Sequence, residues 1–168
     1  MVIFDLDQTL IDSRTCQPLR KARKWPEVYK VISGLAPYGG IDDVMQWLME
    51  RNVPIGVVTS SPRPYCTRVL AHIGWKVPVV VAYHDTARHK PHPDPILRAI
   101  ELGAVAPADA VHVGDSADDT ISARAAGVLA IGAAWGSEEL KALNASRPDV
   151  ICQTPLELKA FLKRHFSQ

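Results

Sequence analysis

The chain lacks several features that would assign it to particular protein classes. Its 168 residues include only three cysteines, Cys16, Cys66 and Cys152, and they form no Cys-x-x-Cys pair. An odd and widely spaced set argues against a disulfide framework and indicates reduced thiols. No apolar run approaches the roughly 20 residues that a membrane-spanning helix needs. The first predicted strand begins at residue 2, and no leader-like segment precedes it. These features together predict a cytoplasmic protein with no membrane partner.

The chain also lacks a strong overall charge, since 19 basic residues face 18 acidic ones and the net charge is +1. Such a balance gives the whole molecule no strong field for nucleic acid or lipid. The charge is uneven, however, because residues 13–40 hold six Lys or Arg residues and a single acid, Glu27. The remainder is therefore acidic, as a site built from metal-binding carboxylates would favour.

Length and composition indicate an ordinary globular chain. With 47% hydrophobic and 22% charged residues it has no sign of disorder, and its length predicts one domain over residues 1–168. Strand-like segments fall at 2–6, 53–58, 78–82, 110–113, 128–133 and 150–152. Helix-like segments fall between and after them, at 41–51, 62–73, 94–102, 116–126, 138–143 and 155–166. The alternation predicts an α/β fold, a Rossmann-like three-layer sandwich with a mainly parallel central sheet and ligands at the carboxyl ends of its strands.

The basic segment 13–40 interrupts this alternation. Apolar residues recur there every three or four positions, with basic residues between them, and Pro26 can occupy the first turn of a second helix. We therefore predict one or two short helices inserted after the first strand. A surface helix with a solvated basic face is one interpretation. A small lid, or a docking surface for an anionic substrate, is the other.

Paired carboxylates follow the first strand. Asp5 and Asp7 are two residues apart, so their side chains begin on the same face. One can attack phosphorus while the other handles protons, and two anions so close to a phosphate require a divalent cation. Asp-x-Asp also occurs in turns and calcium loops, so this motif alone decides nothing.

A second pair of carboxylates follows the strand at 110–113. Asp115 and Asp119 are four residues apart, with Asp119 one turn into the next helix, so both can face one cation. Hard oxygen ligands of this kind are typical of magnesium. The alternative is that these acids merely favour the helix start, although Ser116 already serves as its cap.

Hydroxyl groups and a lysine complete the set. Thr59 and Ser60 follow a strand and precede a helix, where a hydroxyl and free backbone N–H groups can bind a phosphate oxygen. Alternatively, these residues only cap the helix. Lys90 lies in a loop stiffened by prolines, and an ammonium held there can offset the charge of both nucleophile and phosphate. A solvated loop lysine is the simpler interpretation.

In this order the motifs resemble the haloacid dehalogenase-like (HAD) superfamily of phosphohydrolases, over essentially the whole chain. The segments 90–95, 114–116, 126–127 and 135–136 are most similar to its phosphoglycolate phosphatase-like branch. The resemblance implies that Asp5 is the nucleophile and Asp7 the general acid and base. It further implies that Thr59 and Lys90 bind the substrate phosphate and act in catalysis, Thr59 by a hydrogen bond and Lys90 by stabilising charge. Ser60, next to Thr59, is a further candidate for binding the substrate phosphate. Finally, the resemblance implies Mg²⁺ as cofactor, with ligands from Asp5, Asp7 (its backbone carbonyl), Asp115 and Asp119.

Two departures from the family pattern bear on the substrate. Gln8 stands where that branch usually has glycine, and the interval from Asp5 to Thr59 is too short for a full cap domain, which leaves residues 13–40 as a remnant cap. An uncapped site is open, so we expect a Mg²⁺-dependent phosphatase that acts through an aspartyl-phosphate on a bulky or macromolecular substrate, nucleic acid among them. The alternative is a small-metabolite phosphatase, for a sugar phosphate or a phosphoglycolate-like substrate, closed by the insert or by oligomerisation. A non-catalytic binding module is a third possibility, which the intact acids and lysine disfavour.

Overall fold

The computed structural model describes residues 1–166, and a parallel sheet forms its centre. The strands are β1 (Val2–Phe4), β2 (Ile11–Asp12), β3 (Ala36–Pro37), β4 (Ile55–Val58), β5 (Val79–Val81), β6 (Val111–Gly114), β7 (Leu129–Ala133) and β8 (Val150–Cys152). Six of them form one sheet in the order β5-β4-β1-β6-β7-β8, and all of its neighbours pair in parallel. The predicted α/β fold with a parallel central sheet is confirmed.

Helices follow most of the strands. They are α1 (Gln17–Lys21), α2 (Trp25–Val31), α3 (Ile41–Glu50), α4 (Arg63–Ile73), α5 (Asp94–Leu102), α6 (Ala117–Ala125), α7 (Leu140–Ala145) and α8 (Pro155–His165). The strands and helices predicted outside the insert are all present, with ends that differ by at most two residues. Within residues 1–166, no helix is long and apolar enough to cross a membrane.

The sheet separates two apolar clusters. Because side chains alternate along a strand, Phe4 of β1 packs in the cluster that includes residues of α3, α4 and α8. Ile3 lies on the opposite face, with Ile96 and Ile100 of α5. All three residues of β1 are fully buried, as expected for a central strand covered on both faces.

The insert at 13–40 contains the two short helices that its pattern predicts, with Pro26 in the first turn of α2. Its apolar positions reach the main core, where Val28, Ile32 and Leu35 are buried. The insert also contains a strand that the pattern did not predict, β3, which pairs antiparallel with β2 just before the insert. Each of these strands has only two residues, which is too short for an alternation to be recognised.

Candidate active site

A cleft of about 500 Å³ opens at the carboxyl edge of the sheet. Asp5 follows β1, Thr59 follows β4 and Asp115 follows β6, so three neighbouring strands deliver their next residues to one place. Residues of the insert, among them Arg20 and Lys21, also line the cleft. All the site residues predicted from the sequence line this cleft: Asp5, Asp7, Thr59, Ser60, Lys90, Asp115 and Asp119.

Three carboxylates cluster at the bottom of the cleft. Asp5, Asp115 and Asp119 each offer an oxygen, and these oxygens lie within 4.8 Å of one another. Burial raises the pKa of Asp5 to about 7, with Lys90 opposing the shift and the neighbouring acids adding to it. Burial, together with the charges of Asp5 and Asp119, raises the pKa of Asp115 to about 8. Ionising this cluster is therefore costly unless a cation is near.

Lys90 is one such cation. Its buried ammonium donates to Asp5 Oδ1 at 2.7 Å and to Asp119 Oδ1 at 2.6 Å. Burial alone would lower the lysine pKa, but the two carboxylates outweigh it and hold the pKa above its ordinary value. Burial opposes ionisation of Asp119 as well, yet Lys90 and His112 keep the pKa of Asp119 below its usual range. The lysine–carboxylate pair therefore stays charged.

The cluster fits a hard divalent cation. Its donors are carboxylate oxygens, the ligands that magnesium prefers, and one lysine does not balance three acids. Burial raises the pKa of two of those acids, and the charges of neighbouring acids add to the shift, so a bound cation would favour their ionised forms. Thr9 Oγ1 donates to Asp115 Oδ1 at 3.0 Å and so fixes one of these carboxylates.

Asp7 takes different partners from Asp5. Its Oδ2 accepts from Arg20 at 2.6 Å and from the Ser61 hydroxyl at 2.8 Å, and its Oδ1 accepts from the Tyr65 hydroxyl at 2.8 Å. The Asp7 side chain does not belong to the group of three acids described above. Two separate sites result, an acid–lysine cluster around Asp5 and a hydrogen-bonded carboxylate at Asp7.

The segment after β4 supplies hydroxyl groups. Thr59 is buried, and its Oγ1 accepts from the backbone N–H of Ser61 at 3.0 Å, which leaves the threonine hydroxyl hydrogen for another acceptor. Ser60 is exposed and lines the cleft. The side chain of Ser61 turns inward to Asp7. Thr59 and Ser60 therefore line the cleft, while the Ser61 hydroxyl binds Asp7.

Three contacts hold the turn after Asp7. Gln8 has a φ of +66°, in the left-handed region, where the family pattern has glycine. Its side-chain oxygen accepts from the Tyr38 hydroxyl at 2.7 Å, which holds this residue in place. A Cβ on Gly136 would lie 1.6 Å from the carbonyl oxygen of Gln8, and Trp135 Nε1 donates to the carbonyl of Thr9 at 3.0 Å. The loop after β7 therefore supports the segment that carries both catalytic candidates.

Several side chains of the site were not predicted from the sequence. His112 is a lone polar residue in a buried strand, which should have signalled a partner, and its Nε2 lies 3.2 Å from Asp119 Oδ1. Burial lowers the pKa of His112, and because the ionised carboxylate of Asp119 can only accept, Nε2 is the donor of this hydrogen bond. Arg20 was noticed only as part of a basic run. No sequence pattern indicated a role for Ser61 or Tyr65 in the site. Ser61 lies in a run of hydroxyl residues, and Tyr65 lies on the apolar face of a helix.

The fold and the site define an α/β enzyme with carboxylates and a lysine gathered at the carboxyl ends of parallel strands. The family model of haloacid dehalogenase-like hydrolases matches residues 17–133. The chain belongs to this family, as its motifs suggested.

Relatives of known name share part of the chain. Phosphoglycolate phosphatase of Escherichia coli K12 is 34% identical over 134 residues, 79% of this chain and 52% of that protein. Phosphoglycolate phosphatase of Xanthomonas campestris is 34% identical over 101 residues, 59% of this chain and 46% of that protein. The chain therefore spans about half the length of the curated relatives it matches.

Solved structures share the fold. A hydrolase from Pseudomonas syringae superposes with a TM-score of 0.81 at 17% identity, over 97% of both chains. A HAD-superfamily hydrolase from Geobacter sulfurreducens gives a TM-score of 0.72 at 19% identity, over 96% of this chain and 95% of the other. At these identities the likeness supports the fold alone.

Proposed function

We propose that the chain is a Mg²⁺-dependent phosphatase that hydrolyses a phosphomonoester through an aspartyl-phosphate on Asp5. The observation that carries the proposal is the arrangement of Asp5, whose carboxylate accepts from Lys90 within a three-acid cluster, in the same cleft as Asp7. A nucleophile, a positive charge and a second carboxylate for protons are the parts that phosphoryl transfer requires.

In the proposed first step, a carboxylate oxygen of Asp5 attacks phosphorus, and the bond from phosphorus to the leaving oxygen breaks. That oxygen keeps the electron pair and takes a proton from Asp7, so the products are an alcohol and the aspartyl-phosphate. In the second step Asp7 accepts a proton from a water molecule, which attacks phosphorus and releases Asp5 and inorganic phosphate. A magnesium ion held by Asp5, Asp115 and Asp119, with the Asp7 carbonyl, would neutralise charge on the phosphoryl oxygens.

The remaining residues hold the phosphate. Lys90 already donates to Asp5 and supplies a fixed positive charge at the attacking oxygen. Thr59 has a hydroxyl hydrogen to donate to a phosphoryl oxygen, and Ser60 lies beside it at the cleft. These assignments follow the roles that the family resemblance implies.

The substrate we propose is a small phosphorylated metabolite. The expected bulky, macromolecular or nucleic-acid substrate finds no support in the comparisons, whereas relatives that share 34% identity are named phosphoglycolate phosphatases. The cleft agrees with the small-substrate alternative, because residues of the insert form its wall and limit it to about 500 Å³. Buried, unpaired cysteines suit the reducing cytoplasm, which we propose as the compartment.

Phosphate release from a panel of substrates tests the proposal. The panel holds phosphoglycolate, sugar phosphates, nucleotides, phosphopeptides and 5′-phosphorylated DNA, each with Mg²⁺ and with EDTA. We expect Mg²⁺-dependent turnover of a small substrate, complete loss in Asp5→Asn, and normal turnover in Asp43→Asn, which removes an exposed acid of α3. Acid quenching should trap phosphate on the wild-type chain but not on Asp5→Asn. Absence of turnover on every substrate, or full activity of Asp5→Asn, would reject it.

A further inference from the structure

One basic residue of the insert binds a catalytic candidate directly. We propose that Arg20, on α1 of the insert, is a positioning residue that fixes the carboxylate of Asp7 for proton transfer to the leaving group. The inference rests on the proposed phosphatase function and adds a residue to it. It replaces the interpretation of Arg20 as one of several solvated basic residues.

Arg20 binds the Asp7 side chain as part of a three-donor set. One terminal nitrogen of its guanidinium donates to Asp7 Oδ2 at 2.6 Å and to the Ser61 hydroxyl at 3.0 Å, and the other donates to the Ser13 hydroxyl at 3.0 Å. The Ser61 hydroxyl itself donates to the same Asp7 oxygen at 2.8 Å, so arginine, serine and aspartate form a closed triangle. Tyr65 holds the second Asp7 oxygen at 2.8 Å. The carboxylate plane is thus fixed from both of its oxygens.

The surroundings of Arg20 differ from those of a solvated charge. Its side chain is 18% exposed, and its guanidinium lies 5.2 Å from the centre of the fully buried Tyr65 ring. The neighbouring Lys21 and Lys24 are exposed. A planar guanidinium that lies over an aromatic ring while donating to a carboxylate has little freedom to move. Arg20 therefore acts as a fixed support for Asp7.

Fixing Asp7 affects one step in particular. A carboxylate has about four positions that accept hydrogen bonds, and three are filled here, so the remaining position on Oδ1 is where a proton can be held and passed on. A leaving alkoxide needs that proton. A leaving group that departs as a stable anion, such as 2,4-dinitrophenolate, does not. Loss of positioning should therefore penalise alkyl phosphates selectively, whereas loss of structure would penalise both classes.

The experiment compares kcat/KM for an alkyl phosphate and for 2,4-dinitrophenyl phosphate, in wild type, Arg20→Ala and Arg20→Lys. Well-placed general acids contribute about 10²–10⁴-fold, so we expect Arg20→Ala to lower kcat/KM for the alkyl phosphate by about 100-fold and for the dinitrophenyl ester by less than about 3-fold. Arg20→Lys keeps the charge without the planar fork and should fall between. Added guanidinium chloride at millimolar concentration should restore part of the alkyl phosphatase activity of Arg20→Ala.

Arg14→Ala is the matched control, because Arg14 also belongs to the insert and also pairs with an aspartate, Asp12, but on the surface. It should behave as wild type on both substrates. Equal losses on the two substrates, or no loss at all in Arg20→Ala, would overturn the proposal. Thermal melting shows whether Arg20→Ala is folded. If it is not, the proposal is tested by comparing kcat/KM of Arg20→Lys for the alkyl phosphate and for 2,4-dinitrophenyl phosphate. If Asp5→Asn remains active, the proposed function fails, and that result is distinct from a wrong role for Arg20.

Discussion

Replacing Asp115 by asparagine should stabilise the metal-free protein, although it removes a residue of the site. Asparagine keeps nearly the same shape and an oxygen that accepts from Thr9, whose hydroxyl donates to Asp115 Oδ1 at 3.0 Å. What is lost is a negative charge buried beside Asp5 and Asp119. The substitution therefore isolates the electrostatic cost of the acid cluster from its packing.

The size of the effect follows from the geometry. Two unit charges 4.8 Å apart, the outer limit of spacing in this cluster, repel by about 3 kcal/mol at an effective dielectric constant of about 20. Lys90 offsets part of that repulsion, so we expect a gain of about 1–3 kcal/mol in the free energy of unfolding. In a chain of this length that corresponds to a rise in Tm of about 2–12 °C.

The gain should depend on pH with a definite sign. The pKa of Asp115 is raised from 3.8 to about 8, so between these values the native state holds a proton that the unfolded chain has released. The stability of the wild type therefore falls as the pH rises through this window. Asparagine has no proton to lose, so the advantage of the variant should be larger at pH 8 than at pH 5.

Thermal unfolding followed by circular dichroism provides the measurement, in EDTA at pH 5 and pH 8 and with Mg²⁺ at pH 8. Mg²⁺ should raise the Tm of the wild type and have a much smaller effect on Asp115→Asn, which lacks one of the proposed ligands. Asp118→Asn makes the same charge change at an exposed position of the next helix and should leave Tm nearly unchanged. A variant less stable than the wild type in EDTA at pH 8 would refute the reasoning.

Two further substitutions test the turn after Asp7 and the wall of the cleft. Gly136→Ala puts a Cβ where the Gln8 carbonyl lies, so it should lower the free energy of unfolding, measured in urea, by about 2–3 kcal/mol. Gly39 has open space around it, and Gly39→Ala should lower the free energy of unfolding by less than about 1 kcal/mol. Equal losses in the two variants would contradict the close contact at Gly136. Lys21 lines the cleft, so Lys21→Ala should raise KM for an anionic substrate a few-fold at low salt without changing kcat. Lys24 is exposed away from the cleft lining, and Lys24→Ala should leave KM unchanged. Steady-state kinetics at two salt concentrations measure the difference, and identical KM values for the two variants would contradict an electrostatic contribution of Lys21.

The sequence predicts the sheet, the main helices and the convergence of the site, because each depends on patterns that local sequence carries. Apolar runs mark the strands, and in a parallel sheet the residues that follow neighbouring strands must meet at one edge. Asp5, Thr59 and Asp115 lie together for this topological reason. The prediction thus needed only the order of the elements and no knowledge of side-chain contacts.

The partners of Asp7 depend on something that the sequence does not carry. A spacing of two places side chains on one face only while the chain is a strand, and β1 ends at Phe4. Beyond it the backbone turns, with Gln8 in the left-handed region, and the carboxylate of Asp7 binds Arg20 while that of Asp5 binds Lys90. A difference of two residues in the end of β1 therefore decides whether the side chains of Asp5 and Asp7 share a face.

The basic insert shows why a charge count does not assign function to individual residues. By composition Arg20, Lys21 and Lys24 are equivalent members of one run, and both sequence interpretations treated them so. In the fold, Arg20 lies against Tyr65 and Asp7, Lys21 lines the cleft, and Lys24 is exposed. Three neighbouring charges therefore have three different surroundings, set by where α1 and the loop after it lie. Residues before and after α1, Cys16 and Val28, are buried in the main core and hold this short helix in place, so a segment too short for a cap domain can still support a residue of the active site.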